Sequence, residues 1–269
     1  MKSSLPFIEN RYKELMFMKA PTIPFAHCFT TRWGGVSEGY LESLNLGENL
    51  GDTEENVREN YRRLQDAMGI LEQNLCFTHQ VHKNDVLVVS DADRRELFSP
   101  FAYEADGIVT KEKGLPLICF TADCVPVLLC DPKAGISAAV HCGWRSTVSD
   151  ILFVALSKMI ELGAVSKEIR AAIGPSIDIC CYETDEEVPR GIEKLLSGDC
   201  AGTYFNVGDS GKYMVDLKEV NRRRLLQLGL SSRNIAISDE CTFCNCDRYW
   251  SHRKTDGKRG VQAALIVNM

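Results

Sequence analysis

Residues 121–145 read TADCVPVLLCDPKAGISAAVHCGWR, and this stretch decides the fold. Its two apolar runs, 126–130 and 136–142, are too brief for helices and fit strands. Cys124 and His141 each stand at the end of one of these strand-like segments, seventeen residues apart. That separation is too long for a local zinc knuckle, so the two side chains read as arms of a site assembled by folding.

Working outward, strand-like runs fall at 26–31, 75–78, 85–90, 107–110 and 116–120 before the stretch, and at 169–173, 234–238 and 262–267 after it. Asp52-x-x-Glu55 is a capping-box pattern for a helix whose apolar face is Val57, Tyr61, Leu64 and Met68, ending at Gly69. A second helix is expected over 147–162 with Gly163 as its stop, and a third from Asp216-x-x-Glu219 to near Gly229. No fixed-period repeat, low-complexity tract or Pro-rich linker divides the chain. Residues 1–269 therefore read as one domain of mixed α/β (α+β) character, with strands clustered in the middle and helices packed around them.

Composition narrows the function. Against 37 acidic residues stand 31 basic ones, a net charge of −6, so no basic field is available for nucleic acid or anionic lipid. The basic runs Arg62–Arg63 and Arg222–Arg224 lie on helix-like segments and read as solvated faces. No apolar run approaches the roughly 20 residues that span a bilayer. The start, MKSSLPFIENRYK, has no apolar signal core, so a cytoplasmic address is expected. In that reducing compartment the 12 cysteines should mostly be thiols and not bridges. Cys28, Cys76, Cys119 and Cys130 lie in apolar runs and read as small hydrophobes. Cys180, Cys181, Cys241, Cys244 and Cys246 fall in polar turns. Cys241-Thr-Phe-Cys244 has the spacing of a redox pair or half a zinc site, but a second such motif is missing. No heptad or interface stripe fixes the oligomeric state, and a monomer is favoured.

A thiolate with two imidazoles is a catalytic zinc set, because three protein ligands leave one tetrahedral position open. Zinc makes water acidic near neutral pH, as hydrolysis and deamination require. The chain has five histidines: His27, His79, His82, His141 and His252. His79 and His82, in FTHQVH, compete to join Cys124 and His141, and spacing leaves both open. With copper, one Cys and two His suit a blue-type site. A laccase uses several coppers, for which five histidines are few. A third reading is an amide hydrolase acting on peptide-like substrates, with Cys124 as nucleophile and His141 as base. A fourth is a metal-binding module, which would close its coordination with a further protein ligand.

TADCVPVLLCDP followed by AAVHCGWR resembles the YfiH family, the polyphenol-oxidase or laccase-domain proteins. FTTRWGGVSEGYLESLNLG, GDTEENVRENYRRL, QVH, ADGIVT, GPSIDICCYE and DECTFCNCDRYWSHR resemble family blocks in the same order, so the likeness covers nearly the whole chain. It implies a mixed β-sandwich flanked by helices, related to a toxin group that uses Cys and His as a hydrolase pair. The family's metal histidine lies in its QVH block. The resemblance therefore implies His82, Cys124 and His141 as ligands of zinc (copper having been proposed earlier) and leaves His79 as a neighbour. It also implies phosphorolysis of adenosine, inosine and S-methyl-5'-thioadenosine to base and ribose 1-phosphate, with adenosine deamination alongside.

For deamination, Asp123 is the nearest carboxylate to shuttle the proton, although on a strand it would face away from Cys124. For phosphorolysis, guanidinium groups suit phosphate, and Arg32 in TTRWGG, Arg145 and Arg253 are the candidates. Gly34–Gly35 would let backbone approach the anion. Trp33 and Trp144 are the aromatics available to stack a purine. Two departures from the family pattern stand out. The usual HAGW block reads His141-Cys142-Gly143-Trp144, which adds a thiol beside the metal histidine. Where the family has Gly-Arg before its last strand, this chain has Lys258-Arg259-Gly260-Val261, leaving a phosphate contact there to Arg259 by register shift or to no residue.

Overall fold

A computed structural model describes residues 6–70, 75–208 and 211–269. In chain order the first half holds β1 (Ile8–Tyr12), β2 (Leu15–Lys19), β3 (Ala26–Thr30), α1 (Glu54–Met68), β4 (Val86–Val88), β5 (Gly107–Thr110), β6 (Leu117–Thr121), β7 (Val125–Asp131) and β8 (Ile136–Cys142). There follow α2 (Trp144–Val148), α3 (Ile151–Glu161), β9 (Arg170–Ile173), β10 (Glu183–Thr184), α4 (Glu187–Leu195), β11 (Tyr204–Asn206) and β12 (Tyr213–Val215). The chain closes with α5 (Leu217–Gln227), β13 (Ile235–Ile237), α6 (His252–Thr255) and β14 (Gln262–Val267).

Two sheets form the body. One has the order β1-β2-β3-β14-β6 and is antiparallel; the other has the order β13-β9-β7-β8-β5-β4 and is mixed, with β13 parallel to β9 and β4 parallel to β5. Strand alternation sorts the core into layers. Leu128, Cys130, Ala139 and Ala172 of the second sheet meet Phe29, Leu117, Cys119, Ala264 and Ile266 of the first. On the outer face of the second sheet, Val127, Leu129, Ala138 and Val140 pack with Ala155, Leu156 and Met159 of α3 and Val220 and Leu225 of α5. On the outer face of the first, Phe17, Cys28 and Leu265 pack against Val57, Tyr61, Leu64 and Met68 of α1. The result is a mixed β-sandwich with helices on both sides. Every residue of β7 and β8 is buried, which explains why these strands are apolar throughout instead of alternating.

Three local expectations are corrected. The helix expected over 147–162 is two helices, α2 and α3. Asp150 between them has φ +64°, and its carboxylate takes the Arg224 guanidinium at 2.8 and 2.6 Å. The cap of α1 is Thr53, whose hydroxyl accepts from Asn56 N. Asp52 instead gathers the Ser37 hydroxyl and the side-chain amides of Asn45 and Asn56, tying down the Gly-rich loop that precedes the helix. The run at 75–78 contributes a single bridge, Cys76 with Leu117, in place of a strand. Among the described residues no helix is long and apolar enough to cross a membrane.

Candidate metal centre

The β7–β8 hairpin brings the two ends of residues 121–145 together. Its register runs from Val125 opposite Cys142 to Asp131 opposite Ile136. Asp131 closes the turn by accepting the backbone N–H groups of Lys133 and Ala134. Cys124, just before β7, therefore lies at the same open end of the hairpin as His141, near the close of β8. On β8 the His141 side chain shares the inter-sheet face with Ala139, and Cys142 points the opposite way into the helix-covered core. The extra thiol at 142 is thus fully buried packing, and burial pushes it well above the ordinary thiol range.

His82 arrives on a loop bolted from two sides. The Gln80 side-chain amide both donates to Phe120 O (2.8 Å) and accepts from Phe120 N (2.7 Å), fastening the loop to the end of β6. The buried Asp106 carboxylate accepts the N–H groups of Val81, His82 and Lys83 at 3.1, 2.9 and 2.9 Å. These bonds hold His82 at φ +59°. The same carboxylate takes His141 Nδ1 at 2.7 Å, so one side chain orients both imidazoles. The two rings lie 4.8 Å apart. His82, Cys124 and His141 each turn a donor atom inward, all within 4.8 Å of one another. Gly143 completes the packing: a Cβ there would lie 2.8 Å from His82 Nδ1 and 3.5 Å from Cys124 Sγ.

Electrostatics in this group are strongly coupled. Burial raises the Cys124 thiol, but the charge of His141 and hydrogen bonds from His141 and His82 outweigh it and bring the thiol to about 6. Burial lowers the His141 imidazole, yet Cys124 and the bond to Asp106 raise it to about 9. Asp106 is pushed up by burial and pulled below the ordinary carboxylate range by His141 and the loop N–H groups. Each group thus favours the charged form of the other, Cys124 being drawn down by His141 and His141 drawn up by Cys124.

The donor set fits a metal ion. Nδ1 of His141 is committed to Asp106, which leaves Nε2 for coordination, the usual carboxylate–histidine–metal arrangement. One sulfur and two nitrogens at this spacing suit zinc or copper with a position to spare.

The centre opens on a cavity of about 550 Å³, within the usual range for small-molecule sites. Its wall includes His79, Asp123, Trp144, Arg145, Tyr182, His252, Arg253 and Arg259 besides the three donors. Asp123 lies off the strands at φ +89°; its Oδ1 accepts from the Thr242 hydroxyl (2.6 Å) and its Oδ2 from Arg253 N (2.7 Å). The Arg145 guanidinium rests over the Trp144 ring, 4.4 Å from its centroid. Arg253 donates to Glu183 O at 3.0 Å and stands over Tyr182. Arg259 turns into the same cavity, and its Nε and Thr121 Oγ1 are buried polar atoms of the wall without hydrogen-bond partners.

Arg32 lies elsewhere. Its guanidinium stacks on Trp250 at 3.9 Å and donates to the carbonyls of Glu42 and Cys246, so it fastens loops and does not face the cavity. Gly34 and Gly35 press against the backbones of Glu14–Leu15 and Ser43–Leu44, and Trp33 is exposed. His79 stands on the cavity wall outside the donor cluster. The residue that sequence reasoning passed over is Asp106. Its signals are an acidic residue at the head of the apolar run Gly107–Thr110 and its place in the ADGIVT block, neither of which names a role.

A family model described as multi-copper polyphenol oxidoreductase laccase matches residues 26–269. A protein of Bacteroides thetaiotaomicron named purine nucleoside phosphorylase is 35% identical over 252 residues, 90% of this chain and 92% of that one. Purine nucleoside phosphorylase YlmD of Geobacillus stearothermophilus is 36% identical over 252 residues, 90% and 91% of the two chains. The crystal structure of the Bacillus licheniformis hypothetical protein YfiH is similar with a TM-score of 0.91 at 31% identity, covering 98% of this chain and 99% of that one. The crystal structure of Geobacillus stearothermophilus YlmD gives 0.89 at 33% identity.

Proposed function

We propose, from the premise that this chain belongs to the multi-copper polyphenol oxidoreductase laccase (YfiH-like) family, that it is a zinc-dependent purine nucleoside phosphorylase. The observation that carries the reading is one cavity in which the His82, Cys124 and His141 donors face a wall bearing three arginines. The names of the relatives support the reaction class.

In phosphorolysis a phosphate oxygen bonds to C1′ of the ribose as the bond from C1′ to the purine nitrogen breaks. The bond's electrons leave with the purine, which takes up a proton, and ribose 1-phosphate remains. Arg145, Arg253 and Arg259, all on the cavity wall, are the phosphate holders in this reading, Arg259 turning from its contacts with Gly260 O and His252 toward the anion. Trp144 and Tyr182 supply aromatic surface for the base. Asp123, with both oxygens engaged, positions Arg253 and the 242 turn against the cavity floor in this reading, and the proton is carried by another group. Zinc held by His82, Cys124 and His141 would supply a Lewis acid for developing negative charge. Asp106 keeps both imidazoles oriented for it.

The test is to incubate metal-analysed protein with adenosine, inosine or S-methyl-5'-thioadenosine, with and without phosphate, and to separate the products. Free base with ribose 1-phosphate, formed only with phosphate and lost in Cys124→Ala, is the expected result. Inosine formed from adenosine without phosphate would identify deamination at the same cavity. Neither product from protein holding stoichiometric zinc overturns the reading, and stoichiometric copper with phenol oxidation replaces it.

One observation favours a second reading. Cys124, His141 and Asp106 form a nucleophile, base and orienting carboxylate in sequence, with the thiol already lowered to about 6. Such a chain suits an amide hydrolase acting on peptide-like substrates. Rapid alkylation of Cys124 in active, metal-loaded enzyme supports that reading, and protection by zinc opposes it.

A further inference from the structure

Four cysteines that take no part in the His82 centre meet at another place in the fold. Strands β9 and β13 run parallel side by side, and each ends in a turn. The turn after β9 carries Cys180 and Cys181; the turn after β13 carries Cys241 and Cys244. A bridge between Ser176 and Cys241 and the bond from Thr242 N to Ser176 O (3.0 Å) hold the two turns in register. All four sulfurs lie within 4.8 Å of one another, with Cys244 Sγ 3.4 Å from Cys181 Sγ and 3.6 Å from Cys180 Sγ.

We propose that Cys180, Cys181, Cys241 and Cys244 form a second, structural zinc site that staples these two turns together. Zinc–sulfur bonds of about 2.3 Å in a tetrahedron place ligand sulfurs roughly 3.8 Å apart, close to the spacing seen, whereas a disulfide requires about 2.05 Å. The CxxC pair thus finds the other half of its site in the adjacent Cys180–Cys181 pair, which has no CxxC spacing of its own. The Asp178 N–H donates to Cys241 Sγ at 3.4 Å, the kind of bond a metal-bound sulfur accepts. Buried Lys218 binds the Asp178 carboxylate at 2.8 Å and the carbonyls of Ser238 and Glu240, placing a positive charge at the root of both turns.

Four protein thiolates close the coordination, so this ion holds structure and does no chemistry. What it holds is one wall of the cavity. Thr242, next to Cys241, donates to Asp123, and Tyr182, next to Cys181, lines the cavity. Cys180 and Cys244 are exposed, so the site is open to chelators and oxidants from one side.

The test starts from a full-length Cys124→Ser/His82→Ala protein, which dismantles the first centre, prepared anaerobically with reductant and zinc. It should retain one zinc per chain, released when a mercurial titrates the thiols. Its cobalt-exchanged form should show intense sulfur-to-cobalt charge-transfer absorption. Cys241→Ser/Cys244→Ser on the otherwise unaltered chain should lose one zinc and melt at lower temperature. The proposal is overturned if the first protein holds no zinc and shows no such band. It is equally overturned if the Cys241→Ser/Cys244→Ser protein holds as much zinc per chain as the unaltered protein, or if peptide mapping finds Cys244 disulfide-linked in the anaerobic protein. Should the double serine variant fail to fold, the cobalt spectrum of the first protein decides alone. The outcome is independent of which substrate the cavity takes.

Discussion

Gly143→Ala tests the metal centre without touching a ligand. Gly143 has φ −67° and ψ 167°, an extended conformation open to any residue, so the substitution brings no backbone strain. Its effect is therefore confined to the new methyl group, which would stand 2.8 Å from His82 Nδ1. Ordinary contact begins at 3.4 Å, so the ring or the methyl must withdraw by roughly 0.6 Å, the difference between the two distances. Asp106 pins the His82 backbone, and the imidazole must take up most of that movement. Metal–ligand distances tolerate about 0.2 Å, and losing mere support for a ligand costs ~10–100-fold in affinity, so zinc affinity should fall at least that far. Metal-free stability should change by no more than ~1 kcal/mol, because the small gain from stiffening the unfolded chain offsets a poorer helix cap. Competition against a chromophoric chelator measures the first quantity and calorimetry of the metal-free protein the second. In a His82→Ala background the added methyl should have no further effect on zinc binding. Unchanged zinc affinity in Gly143→Ala, or an equal loss in both backgrounds, would refute the reasoning.

Asp106→Asn should lower zinc affinity by ~10–100-fold and destabilise the protein by ~1–3 kcal/mol, since an amide cannot accept every N–H that now converges there; chelator competition and urea unfolding read the two effects, and an unaffected affinity refutes the orienting role. Arg259→Ala should raise the KM for phosphate by about 10–100-fold, the worth of a charged hydrogen bond of ~1.5–3 kcal/mol, whereas Arg32→Ala should lower stability and leave that KM alone; steady-state kinetics with phosphate varied would expose a reversal of the two. His27 supplies a pH signature away from the site. Its Nε2 accepts from Ala20 N, which requires the neutral ring, and its Nδ1 donates to Phe25 O; burial, aided by the charge of Lys19, lowers it from 6.5 to about 4. Because the unfolded chain binds the proton more readily, the neutral ring's contribution is full above about 6.5 and is lost as pH falls toward about 4. That difference corresponds to ~3 kcal/mol at most. Urea unfolding from pH 7 to 4 should show this slope in the parent chain and not in His27→Gln; equal slopes would remove His27 as the cause.

Much of the sandwich was legible because its central strands carry their own signal. β7 and β8 are buried on both faces, and an unbroken apolar run of strand length has few other uses. The helix around 147–162 was legible in its apolar face but not in its break, since Asp150 is held by Arg224 from α5, a partner no local window contains. β1 escaped notice for the opposite reason. Its residues, IENRY, are almost all exposed on a sheet edge and have no apolar face to announce it. The short sheet of β10, β11 and β12 has the same character, with few buried positions to mark it.

At the site, the residues that supply donor atoms were easier to read than the residues that aim them. Cys124 and His141 are marked by their positions at the ends of apolar runs. Spacing left His79 and His82 equal, and the difference between them is Asp106, which grips the backbone at 81–83 and leaves His79 on the cavity wall. Arg32 shows the converse. In a Gly-rich loop it has the look of a phosphate ligand, yet Trp250 and the Cys246 carbonyl, brought from the far end of the chain, claim its guanidinium. Arg259, out of register with the family's Gly-Arg pattern, is the arginine from that segment whose side chain lines the cavity. The four-cysteine cluster belongs to the same logic. Half a CxxC site had no visible partner along the chain, because its partner is supplied by the parallel pairing of β9 with β13. In each case the chemistry of a side chain was written locally, and its use was decided by a contact made only when distant strands pair.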